Sequence, residues 1–169
     1  MNPSPLPYLL DTSVFIEAHQ RYYGFDIAPG FWEALLRYAQ QGYLLSIDRV
    51  SDELLRQQDE LAKWVTKHFA GYFLSTKKDE SILDAYQAVI NWAVSEKRYT
   101  QAAKREFAEA TNADAWIVAY ARAKGCRVVT QEVSAPYSKT TIKIPDVCQA
   151  FNVACINTFE MMRRLGIRL

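Results

Sequence analysis

Asp11 and Glu132 are the carboxylates in this chain best placed to do metal chemistry, because each ends a short apolar run. Asp11 follows Pro7-Tyr8-Leu9-Leu10, and Glu132 closes Val128-Val129-Thr130-Gln131-Glu132. In an open parallel sheet ligands bind beyond the carboxyl ends of the strands, so an acid there faces a crevice where a cation can sit. Asp11 is also followed at once by Thr12-Ser13-Val14-Phe15-Ile16, a setting in which it serves equally well as a helix N-cap. The second run has the order helix, glycine, apolar strand, acid. Gly125 suits the left-handed position after a helix, and Val128-Val129 is β-branched as a central strand would be.

Two further acids join them. Asp114 lies in Thr111-Asn112-Ala113-Asp114-Ala115-Trp116-Ile117, where Ala113, Trp116, Ile117 and Tyr120 keep helical spacing and Asn112 or Thr111 can cap. An acid in a first helical turn also simply favours the helix dipole. Glu53 follows a short strand over residues 43–47, in a stretch where Val50, Leu54 and Leu61 keep a helical period. Asp48, Asp52, Asp59 and Glu60 share that stretch, and spacing alone does not select Glu53 from a solvated face.

Taken in order, Leu9-Leu10-Asp11-Thr12-Ser13, Ser46 with Glu53-Leu54 seven residues on, Asp114-Ala115-Trp116-Ile117-Val118-Ala119-Tyr120-Ala121 and Val128-Val129-Thr130-Gln131-Glu132 resemble the PIN-domain nucleases. The best known of these are the VapC-type toxins of toxin–antitoxin pairs. The resemblance spans about residues 7–156. Tyr22-Tyr23-Gly24-Phe25-Asp26-Ile27-Ala28-Pro29-Gly30-Phe31-Trp32 and Lys143-Ile144-Pro145-Asp146-Val147-Cys148 are similar to a PIN-like subfamily classed as a domain of unknown function. The resemblance implies one PIN-like domain over residues 1–169, a three-layer α/β/α fold with a central, mainly parallel sheet, and an acidic pocket for Mg²⁺ or Mn²⁺. Its catalytic acids fall on Asp11, Glu53, Asp114 and Glu132, with Asp11, Asp114 and Glu132 as metal ligands. Thr12, Ser13 and Thr130 fall on the small hydroxyl positions that steady the acids or bound water. Glu132 departs from the pattern, which usually has Asp there; glutamate still offers oxygen ligands but reaches one methylene further.

Four carboxylates brought close repel one another, and are tolerable only with divalent cations between them or with some protonated. Hard oxygen donors select Mg²⁺ or Mn²⁺ over zinc, and such ions activate water for phosphodiester hydrolysis. The implied substrate is RNA, with a protein antitoxin and a second copy of the chain as implied partners. A catalytically weak PIN-like module that binds RNA or protein is the alternative. Other chemistries fit less well. His19 and His68 lack the surroundings of an acid–base pair, no Gly-rich phosphate loop is present, and a dehalogenase-type phosphatase would want an aspartate where Ser13 stands.

The elements that must position these acids are legible in outline. The 169 residues suffice for one sizeable core. Cys126, Cys148 and Cys155 have neither metal-ligand spacing nor an even count, and read as buried thiols in a reducing compartment. Residues 1–5 have no leader character and no stretch is long enough to span a bilayer, so the expected setting is the cytoplasm without a membrane. Net charge is +1, but residues 139–169 hold five basic against two acidic groups, and Lys97, Arg98, Lys104 and Arg105 form another basic group. Either guides a phosphate backbone or is a solvated face. Residues 61–110 read as helices interrupted by an aromatic strand near 71–75, with Trp92, Tyr99 and Phe107 as core. Residues 134–141 read as a loop beside the site, 141–144 as a strand, 151–156 as a final strand, and Asn157-Thr158-Phe159-Glu160 as the capping start of a last helix. Asp146 reads as a turn or cap residue rather than as a fifth acid near the pocket. The Tyr22, Tyr23, Phe31 and Trp32 cluster reads as interface anchors or as core.

Overall fold

A computed structural model describes residues 6–169; residues 1–5, read above for leader character, lie outside the described residues. The chain is an α/β protein with a five-stranded, all-parallel sheet in a three-layer α/β/α arrangement. The strands are β1 (Tyr8–Leu10), β2 (Leu44–Ile47), β3 (Phe73–Leu74), β4 (Arg127–Val129) and β5 (Cys155–Ile156), ordered β3-β2-β1-β4-β5. The central strands are buried on both faces, as parallel strands covered by helices must be: Leu9, Leu10, Val128 and Val129 are fully buried. Register sets Leu9 opposite both Leu45 and Val128, and Leu10 opposite Val129.

From β1 the chain winds outward to β2 and β3, then returns to the other side of β1 for β4 and β5. The winding therefore reverses between β1 and β4, and the crevice beyond their carboxyl ends is the topological switch point where ligands bind in such sheets. Asp11 extends this pairing, donating its N–H to the Val129 carbonyl at 3.0 Å.

Helices α1 (Thr12–Glu17), α2 (Pro29–Gln40), α3 (Asp48–Arg56), α4 (Glu60–Trp64), α5 (Glu80–Ser95), α6 (Gln101–Ala108), α7 (Asp114–Lys124), α8 (Ile144–Ala150) and α9 (Thr158–Leu165) complete the layers. Helix α7 is buried from Ala115 through Ala121 and packs along α5, with Tyr86 stacked on Trp116 at 3.8 Å. It ends as the sequence leads one to expect, on Gly125 at φ 71°. Asn157 caps α9 through the Glu160 N–H. The aromatic strand between helices is β3, and Tyr99 and Phe107 are core.

Two expectations fail. Residues 141–144 form no strand: Pro145 cannot donate to a ladder but fits the first turn of a helix, so α8 starts at Ile144. The final strand is only Cys155–Ile156, because Phe151 and Asn152 close α8 with a turn in which Asn152 has φ 55°. The aromatic cluster divides. Phe31 and Trp32 are core, with Tyr23 stacked on Phe31 at 4.6 Å, whereas Tyr22 is 47% exposed. Cys126 and Cys148 are buried and Cys155 is half-buried. Among the described residues no helix is long and apolar enough to cross a membrane.

Candidate functional site

Asp11 occupies the N-cap position of α1, with φ −77° and ψ 160°, yet its side chain caps nothing. The Ser13 hydroxyl donates to Asp11 Oδ2 at 2.7 Å and the Thr130 hydroxyl to the same oxygen at 2.9 Å. The two hydroxyl oxygens are themselves 3.2 Å apart. Ser13 Oγ also accepts the Gln131 N–H at 3.0 Å, and Thr130 Oγ1 the Glu132 N–H at 3.1 Å. These bonds tie the ends of β1 and β4 into one unit and fix the first acid. Burial pushes the Asp11 carboxyl above its ordinary range, against the pull of both hydroxyls.

Glu53 is separated from its acidic neighbours by what they do. Asp48 accepts from the Thr76 N–H and hydroxyl, Asp59 caps α4, Glu60 pairs with Lys63, and Asp52 is exposed. Glu53 Oε1 instead accepts the Ala113 N–H at 2.8 Å, across 60 residues. Arg49 and Arg56 of the same helix donate to the carbonyls of Ala110 and Thr111 at 3.3 and 3.2 Å, and the Arg49 guanidinium lies 4.2 Å from the Trp116 ring centre. Helix α3 thus grips the segment leading into α7. The N-cap of α7 is Ala113 rather than Asn112 or Thr111, and Asn112 contributes from one residue earlier, its Oδ1 receiving the Asp114 N–H at 3.0 Å.

Asp114 follows directly, and its carboxylate accepts no hydrogen bond among the described residues. Burial, then the charges of Asp11, Glu132 and Glu53, raise its carboxyl well above the ordinary value, with Lys143 opposing. Glu132 is raised to about 7, first by burial and then by Asp11. Glu53 is raised by burial and by Asp11. The four acids therefore feel one another's charge, which is the electrostatic signature of one cluster at the switch point.

A cavity of about 90 Å³ opens at this cluster, lined in part by Asp114, Glu132, Asn112, Glu106 and Lys143. Lys143, which heads the Lys143-Ile144-Pro145-Asp146-Val147-Cys148 motif and belongs to the basic stretch, is the N-cap of α8 and lines this cavity, where its charge acts on Asp114 and Glu132. Of the other basic groups, Arg98 bonds to the Pro136 carbonyl, Lys104 to the Val94 carbonyl, and Arg163 and Arg164 pair with Glu160. Asp146 stands in the first turn of α8, where it accepts from the Ser134 hydroxyl and from the Ala135 N–H at 2.9 Å, pinning the loop after β4. His19 packs on Phe25 and the exposed His68 against Trp64.

A family described as Domain of unknown function (DUF4411) matches residues 8–169. The chain belongs to this family. The DUF4411 description carries no activity, and no curated protein matches the chain.

Whether this DUF4411 site suits a divalent cation is answered by its donors. All four side chains offer hard oxygen, their mutual repulsion calls for a compensating positive charge, and Thr12, beside Asp11, has a buried hydroxyl without a partner. Among the described residues no three His, Cys, Asp or Glu groups are arranged to hold an ion as they stand. The donor chemistry fits Mg²⁺ or Mn²⁺, while the acids are not closed into a coordination shell.

Proposed function

We propose that this protein is a metal-dependent endoribonuclease of PIN type, acting as the toxin of a toxin–antitoxin pair. The observation that carries the reading is Asp114: an acid without a protein partner, pressed by three other carboxylates at the switch point of a parallel sheet. Asp11, Asp114 and Glu132 would hold the ion, with Glu53 as a further ligand or as orienter of the attacking water. When bound, Mg²⁺ or Mn²⁺ acidifies a water and offsets charge on the phosphodiester.

The chain's own groups supply the rest. Ser13 and Thr130 hold the Asp11 carboxylate in one orientation. Glu53 spends one oxygen on the Ala113 N–H, which keeps its carboxylate beside Asp114. Lys143 brings a positive charge to the cavity wall, where it favours a phosphate that the acids alone would repel. The toxin role and an antitoxin partner rest on the VapC resemblance of the sequence.

A second reading, an RNA- or protein-binding module with little catalysis, is favoured by one observation: the acids do not form a closed ion site as they stand. Expression in a bacterial host separates the two. The nuclease reading expects growth arrest that Asp11→Asn relieves while the protein stays folded; arrest that persists in folded Asp11→Asn would contradict it.

A further inference from the structure

A second opening, about 430 Å³ in volume, lies along the carboxyl ends of β4 and β5, and Glu132 lines both it and the acid cavity. That size falls in the range of about 300–1,000 Å³ typical of small-ligand sites. Tyr22 and Phe159 form part of its wall, with ring centres 5.3 Å apart and planes at 84°. The edge-on contact braces Tyr22 while nearly half of its surface stays open, 47% by area.

Two amides stand on the same wall. Gln131 Oε1 accepts the Thr158 N–H at 3.0 Å, and Asn157 Oδ1 accepts the Glu160 N–H at 2.9 Å. Both carbonyls are thereby committed to the start of α9. Both residues line the groove, and neither NH₂ group has a partner among the described residues, so each leaves a donor free for a ligand there. An aromatic surface beside fixed donors suits a flat π-system with acceptors at its rim, which is what a nucleobase is. Glu132 disfavours an anion in the groove, so an uncharged base suits it better than a phosphate does. An apolar side chain from a protein partner would leave both donors unmet.

We propose that this groove is a base-binding subsite: a nucleobase next to the bond to be cut stacks on Tyr22 and accepts from the amides of Gln131 and Asn157. The proposal rests on the ribonuclease reading for what chain the base belongs to. It gives the enzyme a base preference set at one position, through stacking plus two donors, beside a phosphate site that reads no sequence.

The test is binding of fluorescein-labelled hexaribonucleotides to the Asp11→Asn protein in Mg²⁺, by anisotropy, with a single abasic ribose moved through each position. One abasic position is expected to weaken binding about 5- to 150-fold, the scale of one base stacked on an aromatic ring. Tyr22→Ala should weaken the intact hexamer by a similar factor, and the two losses should not multiply when combined. Tyr22→Phe should bind like the parent. Asn157→Ser, which keeps a neutral cap on α9, should flatten preference among the four bases at that position. Unchanged binding by Tyr22→Ala, fully multiplicative losses, or no measurable binding of any hexamer would overturn the subsite. Cleavage by protein with Asp11 intact, run in parallel, keeps the two readings apart. Normal cutting with none of these losses sinks the subsite alone, whereas absence of cutting with the losses present sinks the nuclease reading alone.

Discussion

Glu132 reaches from the end of β4 to the start of α8, where its Oε2 accepts the Ile144 N–H at 2.7 Å. This gives a structural use to the methylene by which glutamate outreaches aspartate. One oxygen satisfies a donor at a helix start, where unpaired N–H groups gather, and the carboxylate remains beside Asp114. Glu132→Asp is therefore expected to lose the bond to Ile144, at a cost of about 1 kcal/mol, and to lower cleavage rather than restore it. Glu132→Gln keeps an acceptor for Ile144 but not the charge, so it should melt at or above the parent temperature and cut no RNA. Thermal melts beside a cleavage assay check both.

The crowded acids make stability depend on pH. Asp11, Asp114, Glu53 and Glu132 all titrate above their ordinary values in the folded protein, Glu132 at about 7. The folded state thus holds protons more tightly than the unfolded one, and stability is greatest below the ordinary carboxylate range and is lost as pH rises through the folded values. In EDTA the protein should melt higher at pH 5 than at pH 8, and Mg²⁺ or Mn²⁺ should raise the melting temperature chiefly at pH 8. Asp114→Asn should add stability at pH 8 in EDTA, at roughly 2–4 °C for each kcal/mol of relieved repulsion, and add nothing at pH 4. A melting temperature independent of both pH and cation would contradict the clustering.

Thr130→Val removes a hydroxyl that donates to Asp11 and accepts the Glu132 N–H. Leaving that N–H unpaired should cost about 1–3 kcal/mol. Since the hydroxyl favours the charged form of Asp11, its loss raises that carboxyl further, and the acid limb of the cleavage–pH profile should move to higher pH. A profile that merely scales down would mean Thr130 only supports the fold.

Lys143 lowers both Asp114 and Glu132. Lys143→Ala should therefore depress cleavage more at pH 6 than at pH 8, by about tenfold at the lower pH, which corresponds to roughly 1.4 kcal/mol. Lys143→Arg should retain most of the activity. Equal losses at both pH values would assign Lys143 to phosphate contact alone.

Much of this site was legible in the sequence because it sits at strand ends and a helix start. Apolar runs gave β1, β2 and β4, and Asp11, directly after β1, and Glu132, three residues after Val129, follow the two strand ends that flank the switch point. Glu53 could not be separated from Asp48, Asp52, Asp59 and Glu60 by period alone, since its distinction is a bond to Ala113 that only the packing of α3 creates. Residues 141–144 alternated like a strand, but Pro145 and the Glu132 carboxylate waiting for the Ile144 N–H start a helix there instead. Lys143 went unremarked as a site residue for the same reason: its place depends on that long-range bond. The groove beside Glu132 was likewise out of reach, because Tyr22, Gln131 and Asn157 meet only once α9 folds back beyond β5.

Whether these four acids form a metal-dependent ribonuclease site is decided by incubating the purified protein with end-labelled RNA in Mg²⁺, in Mn²⁺ and in EDTA, beside Asp11→Asn. Cutting by the parent protein with either cation, none in EDTA and none by a folded Asp11→Asn is the expected result. Cutting that survives EDTA or the loss of Asp11, or no cutting of any RNA by folded protein supplied with cation, would contradict it.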